Sequence, residues 1–224
     1  MIKNISNLGD AALYCDFGIE VNKQINSEVI KYFNTIKEKN IEGINNLTPS
    51  YNKLIISYDL RVTNFKEIKD KIEKLDVGAA LKINNKKLEI PVCCDASFSL
   101  DMARLENKLN LTKEKILENF FNKEFFCYMT GFIAGMPFLG DLDENMRVQR
   151  LETPRVKVPK GSVGITEQFA DIYTFESPGG WNIIGNTPLE VFDSTKEIEP
   201  NLINPGDTVK FKQITLDEYK NYNE

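Results

Sequence analysis

The sequence predicts an α+β protein. A small ferredoxin-like α/β domain is expected over residues 1–90, followed over residues 91–224 by a helical lead-in and a β-barrel or sandwich. Three observations predict this. Two amphipathic helical periods lie within the first ninety residues. Helical periodicity stops near Phe125. From there short apolar runs alternate with Gly and Pro to the end of the chain, the pattern of many strands joined by turns.

In chain order, Ala11 to Phe17 has strand character. Asn26 to Lys39 places Val29, Ile30, Phe33 and Ile36 at helical spacing, with Asn26 or Ser27 as N-cap. Ile41 to Leu47 is a strand candidate, Thr48-Pro49-Ser50 a turn, and Lys53 to Tyr58 (KLIISY) a nearly continuous apolar strand. Asn64 to Leu75 repeats Phe65, Ile68, Ile72 and Leu75, an amphipathic helix with a solvated charged face. Lys87 to Val92 returns to strand. The order strand–helix–strand–strand–helix–strand fits a split βαβ arrangement, with a domain boundary near residues 85–95. Leu100 to Lys108 and Thr112 to Phe121 read as helices, Thr112 capping the second. The aromatic cluster Phe120, Phe121, Phe125, Phe126 and Tyr128 is expected in a core. Asn204-Pro205-Gly206-Asp207 is a turn into an alternating strand, and Asp217 to Glu224 frames a short helix or frays.

Composition excludes more than it assigns. The net charge of −5 gives no basic face for nucleic acid. No apolar run approaches the roughly 18 residues of a membrane span, so the chain reads as cytoplasmic. The four Cys form no C-x-x-C pair and are expected to be reduced and buried. The sequence contains no His, which removes Ser–His and Cys–His nucleophile pairs and His-ligated zinc. No metal site and no G-x-x-x-x-G-K-[ST] phosphate loop is evident.

The most constrained stretch is Gly161 to Pro188. It holds the only Trp and the breaker run Ser177-Pro178-Gly179-Gly180-Trp181, read as turn, short strand, turn. Gly161-Ser162 and Gly179-Gly180 offer backbone N–H groups that can cradle an anion or simply make tight turns. Arg155 offers a planar fork for carboxylate or phosphate, or a structural ion pair with Asp141 or Asp143. Asp143 offers a base, a metal ligand through Mg²⁺, or a turn-stabilising carboxylate. Trp181 fits either a cleft or interface, or burial in the barrel.

Three ordered runs carry a family resemblance. Gly131-Phe132, Gly135, Pro137, Leu139-Gly140 and Leu142-Asp143 form the first. Pro154-Arg155, Val158-Pro159 and Gly161-Ser162-Val163 form the second. Tyr173, Ser177 to Trp181, Gly185 and Thr187-Pro188 form the third. With this spacing the chain resembles the B-type subunits of bacterial 5-oxoprolinase, a family that includes proteins labelled allophanate hydrolase subunit 1 and the inhibitor of a sporulation histidine kinase. The resemblance implies a cyclophilin-like barrel for the second domain. It also implies A-type and C-type partner subunits and ATP, with Mg²⁺, used through the complex to cleave 5-oxoproline to glutamate. The alternative is a non-catalytic binding protein that inhibits a sensor histidine kinase. On this pattern Arg155 and Asp143 are the catalytic candidates, and Phe132, Gly135, Pro137, Ser162, Gly179, Gly180, Trp181 and Thr187 line a cleft or partner surface. The chain departs from the family pattern at Phe120, which stands where the family has a His, at Ala134, Met136 and Phe138, at Val148-Gln149 and at Asn186, which replaces an Arg.

Overall fold

The computed structural model describes residues 1–78 and 85–222. The chain divides into two compact units, Met1–Asn84 and Asn85–Glu224.

The first unit is a four-stranded antiparallel sheet with two helices. Its strands are β1 (Asn4–Asn7), β2 (Ala12–Asp16), β3 (Ile44–Pro49) and β4 (Lys53–Tyr58), in the order β1-β2-β4-β3. Its helices are α1 (Lys23–Lys39) and α2 (Phe65–Glu73). Alternation in β2 and β4 sends Leu13, Cys15, Leu54 and Ile56 into a core shared with Val29 and Ile36 of α1 and Ile68 and Ile72 of α2. Asn64 caps α2 as its sequence suggests, its side chain accepting from Glu67 N at 3.1 Å. Helix α1 starts a turn earlier than expected. Asn22 is its cap, accepting from Ile25 N at 2.9 Å. Asn26 is instead buried, its amide donating to the carbonyls of Ser50 and Tyr51.

The expected strand–helix–strand–strand–helix–strand order is corrected at both ends. Lys87 to Val92 does not join this sheet. The edge position that the last strand of a split βαβ would occupy, beside β2, is filled by β1 from the N-terminus. Strand β3 also runs through Pro49, so the turn falls after it rather than at Thr48-Pro49-Ser50.

The second unit is a closed seven-stranded barrel. Its strands are β5 (Lys87–Cys93), β6 (Glu124–Thr130), β7 (Pro137–Gly140), β9 (Ser162–Thr166), β10 (Phe169–Ile172), β12 (Asn182–Asn186) and β13 (Thr208–Ile214), closing in the order β10-β7-β6-β13-β5-β12-β9. Strands β5 and β13 run parallel from Lys87↔Thr208 to Cys93↔Ile214. Asp207 sets their start, accepting from Lys86 N and Asn204 N, each at 2.8 Å. Helices α3 (Met102–Leu109) and α4 (Lys113–Phe121) share the barrel's core through Leu105, Ile116 and Phe120. Phe120 is fully buried and stacks on Phe211 at 4.8 Å, so the position expected to carry an imidazole in the family is a core position here. The aromatic cluster is core as expected for Phe120, Phe125 and Tyr128, with Phe121 and Phe126 half-buried. All four Cys are buried and free. Burial pushes the thiols of Cys15 and Cys94 up to about 12, which holds them as inert thiols.

A separate two-stranded ribbon pairs β8 (Arg155–Val158) with β11 (Ser177–Gly179). The C-terminal helix α5 (Leu216–Lys220) closes the described chain behind a capping box from Thr215 and Glu218, and the last two residues of the expected tail lie outside the described residues. No helix among the described residues is long and apolar enough to cross a membrane.

Candidate functional site

Strand alternation dictates where the ribbon meets the barrel. In β10, Ala170 and Ile172 point into the barrel core, so Asp171 between them projects from the outer face. Asp171 lies opposite Gly164 of β9. A Cβ on Gly164 would come within 2.6 Å of Asp171 Oδ1 and 3.0 Å of Trp181 Cβ, so only Gly allows these two to converge. Trp181 is 5% exposed. Its ring meets Phe138 edge-on at 5.5 Å, and the Arg150 guanidinium lies 6.0 Å from its centre. The ribbon covers this face. Gly179 pairs with Arg155, and a side chain at Gly179 would run into the Tyr173 ring and hydroxyl.

Four polar side chains of this region have bonding capacity left over. Arg155 Nη2 donates to Asp101 Oδ1 at 2.6 Å, while Asp101 Oδ2 accepts from Ile183 N at 2.7 Å. Arg155 Nη1, Asp171 Oδ2, the Tyr173 hydroxyl and the Ser177 hydroxyl are buried without a hydrogen-bond partner. Asp171 Oδ1 accepts from Gly164 N at 2.9 Å. Burial pushes the Asp171 carboxyl well above the usual carboxylate range, opposed by that N–H and by the Arg150 charge. Burial, and then the neighbouring Asp171, raise the Tyr173 phenol. The Trp181 amide, which faces the hydroxyl without closing a hydrogen bond, and Arg150 and Arg155 oppose that rise. The result is a group of donors around one oriented guanidinium, suited to holding an oxyanion and to keeping a carboxyl protonated.

Of the sequence-predicted residues, the fold brings Arg155, Gly179, Gly180 and Trp181 together, with Ser162 beside them through its carbonyl, which accepts from Tyr173 N at 2.9 Å. The ion pair expected between Arg155 and Asp141 or Asp143 is corrected to Asp101. Asp141 accepts from the Tyr128 hydroxyl at 2.8 Å. Asp143 is exposed and paired with Lys123. Ser177–Gly179 is a strand of the ribbon rather than a turn. Trp181, Gly179, Gly180, Ser162, Pro137 and Thr187 are buried and do not form an outward surface. Thr187 makes a turn, its hydroxyl accepting from Leu189 N at 3.3 Å. Phe132 stands apart, 68% exposed with φ at 70°. Gly135, at φ +71°, sits under the Phe192 ring, where a Cβ has no room. Sequence reasoning misses Asp101, Arg150, Asp171 and Ser177 as site residues. Asp171 has a visible signal: it is a lone charge inside the apolar run Phe169-Ala170-Asp171-Ile172.

Residues 3–203 match the sequence pattern of the family described as carboxyltransferase domain, subdomain C and D. The chain belongs to this family. Among its carboxyltransferase-domain relatives, the B-type 5-oxoprolinase subunit of Bacillus subtilis (strain 168) is 32% identical, the alignment covering 98% of this chain and 96% of that protein. The corresponding protein of Haemophilus influenzae, of the same name, is 33% identical over 93% of this chain and 96% of its own length. Among solved structures, the conserved uncharacterized protein PH0987 from Pyrococcus horikoshii is 34% identical over 96% of this chain and all of its own, with a TM-score of 0.58. TTHA0988 superposes with a TM-score of 0.82 at 28% identity over 91% of this chain, which spans 40% of that longer protein. The Kluyveromyces lactis urea carboxylase shares the fold, with a TM-score of 0.77 at 18% identity.

Proposed function

We propose that the chain is the non-autonomous B-type component of an ATP-dependent 5-oxoprolinase complex, an amide-bond hydrolase converting 5-oxoproline, ATP and water to glutamate, ADP and phosphate. The observation that carries this reading is the end-to-end match to relatives named as B-type 5-oxoprolinase subunits. Dependence on partners follows from the chemistry of the site. The chain has no His, and the Arg155 guanidinium is held by Asp101 near a carboxyl, Asp171, that burial pushes well above the usual carboxylate range. Such a site binds and orients an anion but does not activate water. Any nucleotide contact made by this chain would be unconventional. There is no phosphate-loop run, and among the described residues no group of three or more His, Cys, Asp or Glu is placed to hold a metal ion. On this reading ATP and Mg²⁺ are used through the complex with the A-type and C-type subunits.

The test is co-expression of the chain with A-type and C-type subunits. A stable complex that releases glutamate from 5-oxoproline only with ATP supports the reading, and robust turnover by the isolated chain overturns it. The second reading, inhibition of a sensor histidine kinase, is favoured by the exposed Phe132 and by the neutral, buried Asn186 where the resemblance expects an Arg. Saturable inhibition of kinase autophosphorylation without assembly with the other subunits would select it.

A further inference from the structure

Buried polar side-chain atoms almost always find partners, and an isolated exception is costly. Four occur on the ribbon and at the adjoining end of β10: Arg155 Nη1, Asp171 Oδ2, the Tyr173 hydroxyl and the Ser177 hydroxyl. They come from both layers of one seam. Arg155 and Ser177 belong to the ribbon and Asp171 to β10 of the barrel, while Tyr173 is the residue that follows β10, its N–H donating to the Ser162 carbonyl of β9. Gly164 and Gly179 hold the layers close without side chains of their own, since a Cβ on either would strike Asp171 or Tyr173.

The donor set defines the ligand. A free guanidinium N–H and two hydroxyls supply three donors, the complement of an oxyanion. Asp101 balances the Arg155 charge and fixes the direction of its fork, which leaves the single charge of Arg150 above Trp181. With the Asp171 carboxyl kept protonated by burial, one net positive charge is left, which matches a monoanion better than a dianionic phosphate. Among the described residues strands β8 and β11 pair only with each other, so the ribbon is tied down by side chains such as Arg155 on Asp101 and not by barrel strand pairing.

We propose that the seam between the β8–β11 ribbon and the outer face of the barrel is a binding site for a small monocarboxylate. Arg155 Nη1 and the Tyr173 and Ser177 hydroxyls hold the carboxylate, and Asp101 positions Arg155. The site itself stands on this geometry, and only the naming of 5-oxoproline as its occupant rests on the proposed function.

Trp181, the only Trp of the chain, lies in the seam and reports on it. The full chain is titrated with 5-oxoproline, acetate, 2-pyrrolidinone (the same lactam without its carboxylate) and inorganic phosphate, following Trp181 emission. The expected result is a saturable change with 5-oxoproline and acetate, and at least tenfold weaker binding of 2-pyrrolidinone and phosphate. Arg155→Gln, Tyr173→Phe and Ser177→Ala should each weaken 5-oxoproline binding about tenfold or more, while Lys160→Gln leaves it unchanged. The two hydroxyl removals keep the test open if Arg155→Gln does not fold, with melting curves identifying folded variants. No saturable response to either carboxylate, an equal response to 2-pyrrolidinone, or full binding by the folded hydroxyl variants overturns the site. Acetate binding without 5-oxoproline binding keeps the carboxylate site and overturns only its assignment to that substrate. Failure of the chain to assemble with A-type and C-type subunits bears on the complex alone, because the titration uses the isolated chain.

Discussion

Asp101 and Arg155 meet at 2.6 Å across 54 residues of sequence, and through them the start of α3 fixes the ribbon over the barrel. Asp101 is 5% exposed and also holds the Ile183 amide. Asp101→Ala therefore strands a half-buried guanidinium and a buried N–H at once. Because the Arg155 side chain keeps 28% of its surface in water, the expected loss sits at the low end for a broken buried pair, about 3 kcal/mol. Urea unfolding checks it, and a loss under about 1 kcal/mol would show that the pair only decorates the ribbon.

Asp171 makes stability depend on pH in a stated direction. Its carboxyl titrates well above the usual range when folded, chiefly because it is buried. The folded state therefore binds more protons than the unfolded state at pH values between the two pKa values. Its contribution is fully present below the unfolded value, near 4, and is lost as pH rises toward the folded value. Asp171→Asn keeps an oxygen for the Gly164 N–H and removes the titration. The variant's stability relative to the wild type should rise in urea melts as pH increases above about 4. A constant difference across that range would mean the carboxyl is ionised in place.

Trp181→Ala should act on the fold first. The ring is 5% exposed and packs on Phe138 at 5.5 Å. Truncating a buried aromatic costs about 3–5 kcal/mol, or roughly 10 °C in melting temperature for a chain of this size. Calorimetry decides this. An unshifted melt accompanied by lost partner binding would assign Trp181 the interface role that its sequence context leaves open beside burial.

What is legible in the sequence is local. Helix α2 follows from its cap and from the spacing of Ile68 and Ile72, and β4 matches KLIISY residue for residue. The early start of α1 is hidden because Asn26 serves carbonyls at Ser50 and Tyr51, which no window of one helix contains. Strand β1 escapes notice because NISN carries one apolar residue, enough for an edge strand. Lys87–Cys93 is recognisable as a strand, but its parallel partner lies near residue 208, and pairing over that separation leaves no local trace. The candidate site divides the same way. Gly179 to Trp181 stand out because their backbone demands are written in the residues themselves. The counter-ion of Arg155 does not, since Asp101 lies on another element while Asp141 and Asp143 are nearer in sequence.

The last test concerns Asn186, where the resemblance expects an Arg. Its Oδ1 accepts from the Tyr219 hydroxyl of α5 at 2.7 Å, and its Nδ2 donates to the Lys160 carbonyl at 2.9 Å. Tyr219 also packs on Phe98 at 4.6 Å. The side chain is thus used to fasten the C-terminal helix, and its place is small: a Cβ on Gly161 would come within 2.6 Å of Asn186 Oδ1. Tyr219→Phe removes one hydrogen bond and keeps the ring contact, so it should cost about 1 kcal/mol. Asn186→Arg should cost more, because a longer cation must displace Tyr219 to reach water. Amide exchange over Leu216–Lys220 should then accelerate strongly in Asn186→Arg and slightly in Tyr219→Phe. The capping box would still hold the helix's first turn in both, since Thr215 and Glu218 bond to each other's backbone independently of Tyr219. Unchanged exchange in Asn186→Arg would mean that the helix docks through Phe98 alone, and that the Asn is not what fastens it.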